Sequence, residues 1–190
     1  TINPVNDTPI INDLVGSIGI SEGQTSVLTV SASDVEGDTL TYSLTGTDAS
    51  LLSISSVGVI TFNTAPDYET KTSYSVTVNI SDGTDTTSQS LIININNIND
   101  VAPVISGLAS SLSVAENQTA VVTVSASDVD GDDLSYSIEG WTDISSEFDE
   151  EGTTITFGAD ENYNGSENFT ITVSDGELTD SQVITVTINA

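Results

Sequence analysis

Two phrases, SASDVEGDTLTYS at Ser31–Ser43 and SASDVDGDDLSYS at Ser125–Ser137, place carboxylates on alternate positions where a run of alternating apolar and hydroxyl residues stops. Carboxylates so close together repel one another, and a hard divalent cation with six to eight oxygen ligands relieves that repulsion. The chain has no Cys and no His, so any metal site must be built from oxygen alone. Calcium or magnesium fits that donor set, and zinc does not. The second phrase also invites an EF-hand reading, with Asp128, Asp130 and Asp132 at loop positions 1, 3 and 5. That reading fails, because position 6 needs Gly and is Asp133, and the flanks are strands.

Composition narrows the function classes. One basic residue against 29 acids gives a net charge of -28 over 190 residues. Such a charge repels phosphate backbones and anionic lipid, which excludes nucleic acid and membrane surfaces as natural partners. A hydrophobic content of 36% is enough to close a core. No apolar run approaches the roughly 18 residues of a membrane span, and any export signal is expected to lie outside this segment. Gly-rich phosphate loops and Ser/His/Asp or Cys/His sets are absent from the sequence. Catalysis would have to rest on paired carboxylates, but the acids recur at repeated positions instead of lining one unique cleft. The chain is therefore read as a non-enzyme.

The acids are carried by a duplicated domain. Asp34 and Asp128, Gly37 and Gly131, Tyr42 and Tyr136, and Glu22 and Glu116 are each 94 residues apart. Phe62 and Phe157, and Tyr68 and Tyr163, are 95 apart, and Asp82 and Asp175 are 93 apart, so the copies drift only in loops. Within each copy apolar residues recur with period two: Leu28, Val30 and Ala32, then Tyr74, Val76, Val78 and Ile80, matched by Val122, Val124 and Ala126, then Phe169, Ile171 and Val173. Leu91, Ile93 and Ile95 likewise match Ile184, Val186 and Ile188. The pattern predicts an all-β chain of two tandem seven-stranded antiparallel Greek-key β-sandwiches, repeat 1 over 1–99 and repeat 2 over 100–190, with helix nearly absent. The boundary phrase INPVND at Ile2–Asp7 returns as INNIND at Ile95–Asp100, so the segment is expected to come from a longer tandem array.

In order along the chain, Glu22, Asp34-Val35-Glu36, Asp67-Tyr68-Glu69, Ser81-Asp82-Gly83 and the linker Asn97-Ile98-Asn99-Asp100-Val101-Ala102-Pro103 resemble the motif series of cadherin and bacterial cadherin-like repeats. The second copy repeats the series with Glu116, Asp128-Val129-Asp130, Asn162-Tyr163-Asn164 and Ser174-Asp175-Gly176. The resemblance covers essentially the whole chain. It implies Ca2+ held between repeats by Glu22, Asp67 and Glu69 of the first, by Asn97, Asn99 and Asp100 of the linker, and by Asp128, Asp130 and Asp175 of the second. Asn97 stands where the family has an acid and Val101 where it has Asn, which favours two ions over three. Asp7, Asp34, Glu36 and Asp82 resemble half of an upstream site, and the N-Y-N segment predicts a weaker site downstream.

The implied function is a calcium-rigidified extender of a large secreted or cell-surface adhesin, monomeric, with neighbouring repeats of the same chain as its partners and an extracellular location. The alternative is a carbohydrate-binding or homophilic adhesion module, acting on a glycan or another adhesin chain through exposed loops such as that around Trp141. Packing of Trp141 over the sandwich edge is the plainer expectation for that residue.

Overall fold

The computed structural model of the chain describes residues 5–140 and 142–190; Trp141 and the boundary phrase up to Pro4 lie outside the described residues. Two compact units divide between Ile98 and Asn99. The first contains Ile10–Ile11 (β1), Ser17–Ser21 (β2), Ser26–Thr29 (β3), Ala32–Ser33 (β4), Thr41–Thr45 (β5), Leu52–Ile54 (β6), Val59–Phe62 (β7), Ser73–Ser81 (β8) and Thr86–Asn96 (β9). The second contains Val104–Ser106 (β10), Ser111–Ala115 (β11), Ala120–Thr123 (β12), Ser125–Ser127 (β13), Ser135–Glu139 (β14), Ile144–Phe148 (β15), Thr154–Ala159 (β16), Gly165–Ser174 (β17) and Thr179–Asn189 (β18). Among the described residues there is no α-helix, only a single 3₁₀ turn at Ala49–Leu51.

Each unit is a sandwich. In the first, a sheet ordered β2-β9-β8-β5 faces a sheet ordered β3-β7-β6; in the second, β11-β18-β17-β14 faces β12-β16-β15. Nine segments make seven strands because the first strand breaks into β1 and β2 and the second into β3 and β4, with β1 pairing β4 to close the sandwich edge. The second unit breaks its strands in the same way and pairs β10 with β13. One pair in each otherwise antiparallel unit is parallel: Ser17 opposite Ile92 through Ser21 opposite Asn96, and Ser111 opposite Thr185 through Ala115 opposite Asn189. A first strand parallel to the last carries the chain in at one end of a unit and out at the other. These ends are called the leading and trailing poles.

The predicted alternation places the core. Tyr74, Val76, Val78 and Ile80 of β8 and Leu91, Ile93 and Ile95 of β9 are buried in the first unit, as are Phe169, Ile171, Val173, Ile184, Val186 and Ile188 in the second. Edge-to-face aromatic pairs bridge the sheets, Phe62 with Tyr74 at 4.7 Å and Phe157 with Phe169 at 5.1 Å between centroids. Tight turns fix the hairpins. A Cβ on Gly58, at φ +82°, would lie 2.2 Å from the Val30 carbonyl oxygen, which also places the Gly58 carbonyl to accept from Val30 N–H at 2.9 Å. Gly58→Ala is expected to cost at least about 2 kcal/mol, read as a lowered midpoint in denaturant unfolding. No helix among the described residues is long and apolar enough to cross a membrane.

Candidate metal sites at the poles of the units

The leading pole of the second unit gathers residues from three loops. Asp128, Asp130 and Asp132 follow β13, Asp175 follows β17, and Asn99 and Asp100 precede β10. Asp128, Asp130 and Asp132 each offer a carboxylate oxygen within 4.8 Å of the others. One oxygen of each key acid shapes its own loop: Asp128 Oδ1 accepts from Gly131 N–H at 2.9 Å and Asp132 N–H at 3.2 Å. Asp175 Oδ1 accepts from Glu177 N–H at 2.8 Å and Leu178 N–H at 2.7 Å. The remaining oxygens, Asp128 Oδ2 and Asp175 Oδ2, are buried without a hydrogen-bond partner, as is Asn99 Oδ1. Buried acceptors without donors are costly in a folded protein, and a cation removes the cost. The donor set therefore fits a hard divalent ion.

Protonation in this pole follows from the same contacts. Burial pushes the Asp175 carboxyl up, but the Leu178 and Glu177 amides and the Asn99 side chain outweigh it and hold it below the ordinary value. Asp132 moves the other way, raised by loss of surrounding water and then by the charges of Asp128, Asp130, Asp175 and Glu177. The linker is drawn onto the pole by Asp130 Oδ2, which accepts from Asp100 N–H at 3.1 Å and Val101 N–H at 2.9 Å. The leading pole of the first unit is built alike. Asp34 Oδ1 accepts from the amides of Glu36 and Asp38, both at 3.0 Å. Asp7 N–H donates to Glu36 Oε2 at 3.1 Å, and Asp34 Oδ2 is buried without a partner. Asn6 Nδ2 donates to Asp82 Oδ2 at 3.0 Å and Asp85 Oδ2 at 2.9 Å.

At the trailing pole of the first unit Glu22, Asp67 and Glu69 each offer a carboxylate oxygen within 4.8 Å of the others. Glu22 is only 4% exposed. Its Oε2 accepts from Tyr68 N–H and its Oε1 from Ile98 N–H, both at 2.8 Å, so this acid ties the D-x-E loop to the end of the unit. The hydroxyl and amide of Thr70 donate to Asp67 and hold its carboxyl below the ordinary range. Glu22→Gln keeps the shape but sets an amide N–H against a backbone N–H. It is expected to cost about 1–3 kcal/mol, seen as a lower unfolding midpoint in chelator.

The structure thus brings Glu22, Asp67 and Glu69 together in one unit, and Asn99, Asp100, Asp128, Asp130 and Asp175 together in the other. Asn97, one residue beyond β9, is exposed. Sequence reasoning missed Asp132 as a member of the Asp128 cluster, because the D-x-D of the cadherin-like series ends at Asp130. It also missed Asn6 and Asp85, whose signal was the INPVND phrase and the acid three residues after Asp82. In the second unit Glu167 accepts from the amides of Thr142 at 3.0 Å and Asp143 at 2.8 Å, a brace with no sequence signal.

Residues 6–95 and 99–187 each match the family described as Bacterial Ig domain, and the chain belongs to that family as a tandem pair of Ig/cadherin-like domains. Chitinase A of Pseudoalteromonas piscicida is 35% identical over 133 residues, which is 70% of this chain and 16% of the relative. Cadherin EGF LAG seven-pass G-type receptor 1 of Mus musculus is 32% identical over 142 residues, 68% of this chain and 5% of the relative. The chain therefore spans a small part of these curated relatives. Among solved structures, human Protocadherin-24 EC1-2 superposes with a TM-score of 0.80 at 20% identity, covering 97% of this chain and 99% of that one. Mouse Cadherin-23 EC22-24 does so with 0.70 at 23% identity, covering 96% and 64%. The architecture is that of two tandem Ig/cadherin-like β-sandwich domains.

Proposed function

We propose that the two repeats bind calcium through their carboxylate poles, and that ions held at the linker by Glu22, Asp67, Glu69, Asn97, Asn99, Asp100, Asp128, Asp130 and Asp175 stiffen and extend a secreted or cell-surface adhesin. The observation that carries this reading is the set of buried, partnerless oxygens on Asn99, Asp128 and Asp175 within one pole. A divalent ion there completes its shell with oxygens already fixed by loop hydrogen bonds, so little ordering is left for binding. An ion ligated by two domains restricts their mutual orientation, and it stabilises both by mass action. With a net charge of -28, cation uptake also relieves self-repulsion. Affinities of extracellular modules, about 10⁻⁴ to 10⁻³ M, suit calcium-rich surroundings outside the cell.

Calcium titration by calorimetry, paired with small-angle scattering in calcium and in chelator, tests the proposal. Saturable uptake with a change from a broad to a fixed extended distance distribution is expected. No uptake and no change in shape sinks it. The similarity to Chitinase A favours a second reading, in which the repeats are carbohydrate-binding accessories of a longer chain; titration with chitin oligosaccharides decides that case.

A further inference from the structure

The single basic residue of the chain, Lys71, lies two positions from Glu69 and four from Asp67, yet its ammonium is engaged elsewhere. Lys71 Nζ donates to Asp48 Oδ1, and Asp48 is 6% exposed. The other oxygen, Asp48 Oδ2, accepts from Ser75 N–H at 2.8 Å. The Lys71 ammonium also sits 4.8 Å from the Tyr74 ring centroid. Lys71 and Asp67 nonetheless line the same cavity of about 590 Å³, together with Leu51, Phe62, Thr70 and Tyr74. A flexible four-carbon stem allows Lys to follow whichever acid offers the better partner.

We infer that Asp48 is a positioning residue for cation binding: it keeps Lys71 from acting as an internal counter-ion to Asp67, so that the Asp67 carboxylate retains its charge for a divalent cation. This rests on the reading of Asp67 and Glu69 as calcium ligands. The duplicated repeat supplies a comparison within one chain. In the second unit Ser166 stands at the Lys71 position and Asn162 and Asn164 at the Asp67 and Glu69 positions. With no cation to divert, the loop at 142–144 is instead held by the Glu167 carboxylate through backbone amides. The ion pair thus accompanies the acids at positions 67 and 69 and is absent where both of those positions are Asn. A brace serving shape alone could have been built in the first unit as it is in the second.

The test uses the whole chain with Asp48→Asn, Lys71→Met, the double variant, and Asp13→Asn as a control for net charge. At low ionic strength Asp48→Asn is expected to weaken calcium binding at the trailing pole of the first unit about tenfold, with the loss shrinking in high salt. Adding Lys71→Met to it restores the affinity to within twofold, and Asp13→Asn changes it by less than twofold. Side-chain NMR in chelator provides a second readout, in which the Lys71 ammonium contacts Asp48 in the wild type and Asp67 in Asp48→Asn. Unchanged affinity in Asp48→Asn, or equal weakening by Asp48→Asn and Lys71→Met as a purely structural brace requires, overturns the inference. If the wild type binds no calcium, the proposed function fails, while the chelator spectra still decide whether Asp48 keeps Lys71 off Asp67.

Discussion

Asp128→Ala is expected to remove calcium uptake at the leading pole of the second unit, lowering affinity by about 100-fold, at or beyond the upper end of what loss of an outer-shell partner costs. The side chain has two separable duties. Oδ1 accepts from the Gly131 and Asp132 amides and shapes the loop, whereas Oδ2 is buried and partnerless. Truncation removes both, so the metal-free unit is also expected to lose about 1–2 kcal/mol from the two lost loop bonds. Asp128→Asn separates these effects, because the amide keeps one oxygen for the loop and removes the charge. That variant should keep or slightly raise its midpoint in chelator, because a repelling charge is gone, and still bind calcium poorly. Calorimetric titration and thermal melts in chelator read the two outcomes independently.

The same substitution has a signed consequence for pH. Asp132 is raised by loss of water and then by Asp128, Asp130, Asp175 and Glu177. An acid with a raised folded pKa contributes stability below its unfolded value and loses it as pH rises through the folded value. The metal-free pole is therefore relieved by mild acid, and Asp128→Asn should reduce that relief. Asp48 has the opposite sign. The Lys71 hydrogen bond, then the Ser75 amide, hold it low, so its stabilisation is present above the unfolded value and fades as pH falls through the folded one.

Phe157→Ala is the second large effect, expected to cost about 3–5 kcal/mol. Phe157 and Phe169 are fully buried, and their rings meet edge to face at 67° between the two sheets. Truncation leaves a cavity walled by strands whose backbones are pinned by β16 and β17 ladders, so collapse around it is limited. A domain of this size has about 5–15 kcal/mol in total, so about a fifth or more of its stability is at stake. Hydrogen exchange along β17 and β18 should accelerate accordingly, with β8 and β9 of the first unit as the internal reference. Retained protection of β17 would show that the aromatic pair is not the keystone of the second core.

Much of this architecture was legible because period-two burial is a local property. The stripes Tyr74 to Ile80 and Ile184 to Ile188 announce which side faces inward, whatever partner the strand later finds. The duplication was equally plain, since each acid recurs at nearly one offset, and acids at strand ends must fall at sandwich poles. Pairing was not legible. Nothing in SIGIS or SLSVA distinguishes a strand parallel to the last from one that turns back, because that choice depends on which edge is vacant when the sandwich closes. Val27 and Val121 occupy matching positions, yet a register shift between Ser26 and Leu28 leaves the first 9% exposed, while the regular pairing of β12 leaves the second 61% exposed. Sequence alone determined the inventory: oxygen donors only, two copies, and one basic residue. Tertiary structure decided which oxygens are used up in loops, which stay buried and unpaired, and that the one ammonium rests on Asp48. Burial of the remaining oxygens and the meeting of Lys71 with Asp48 depend on the packing of segments distant in sequence, and a contact across such a distance has no local signature.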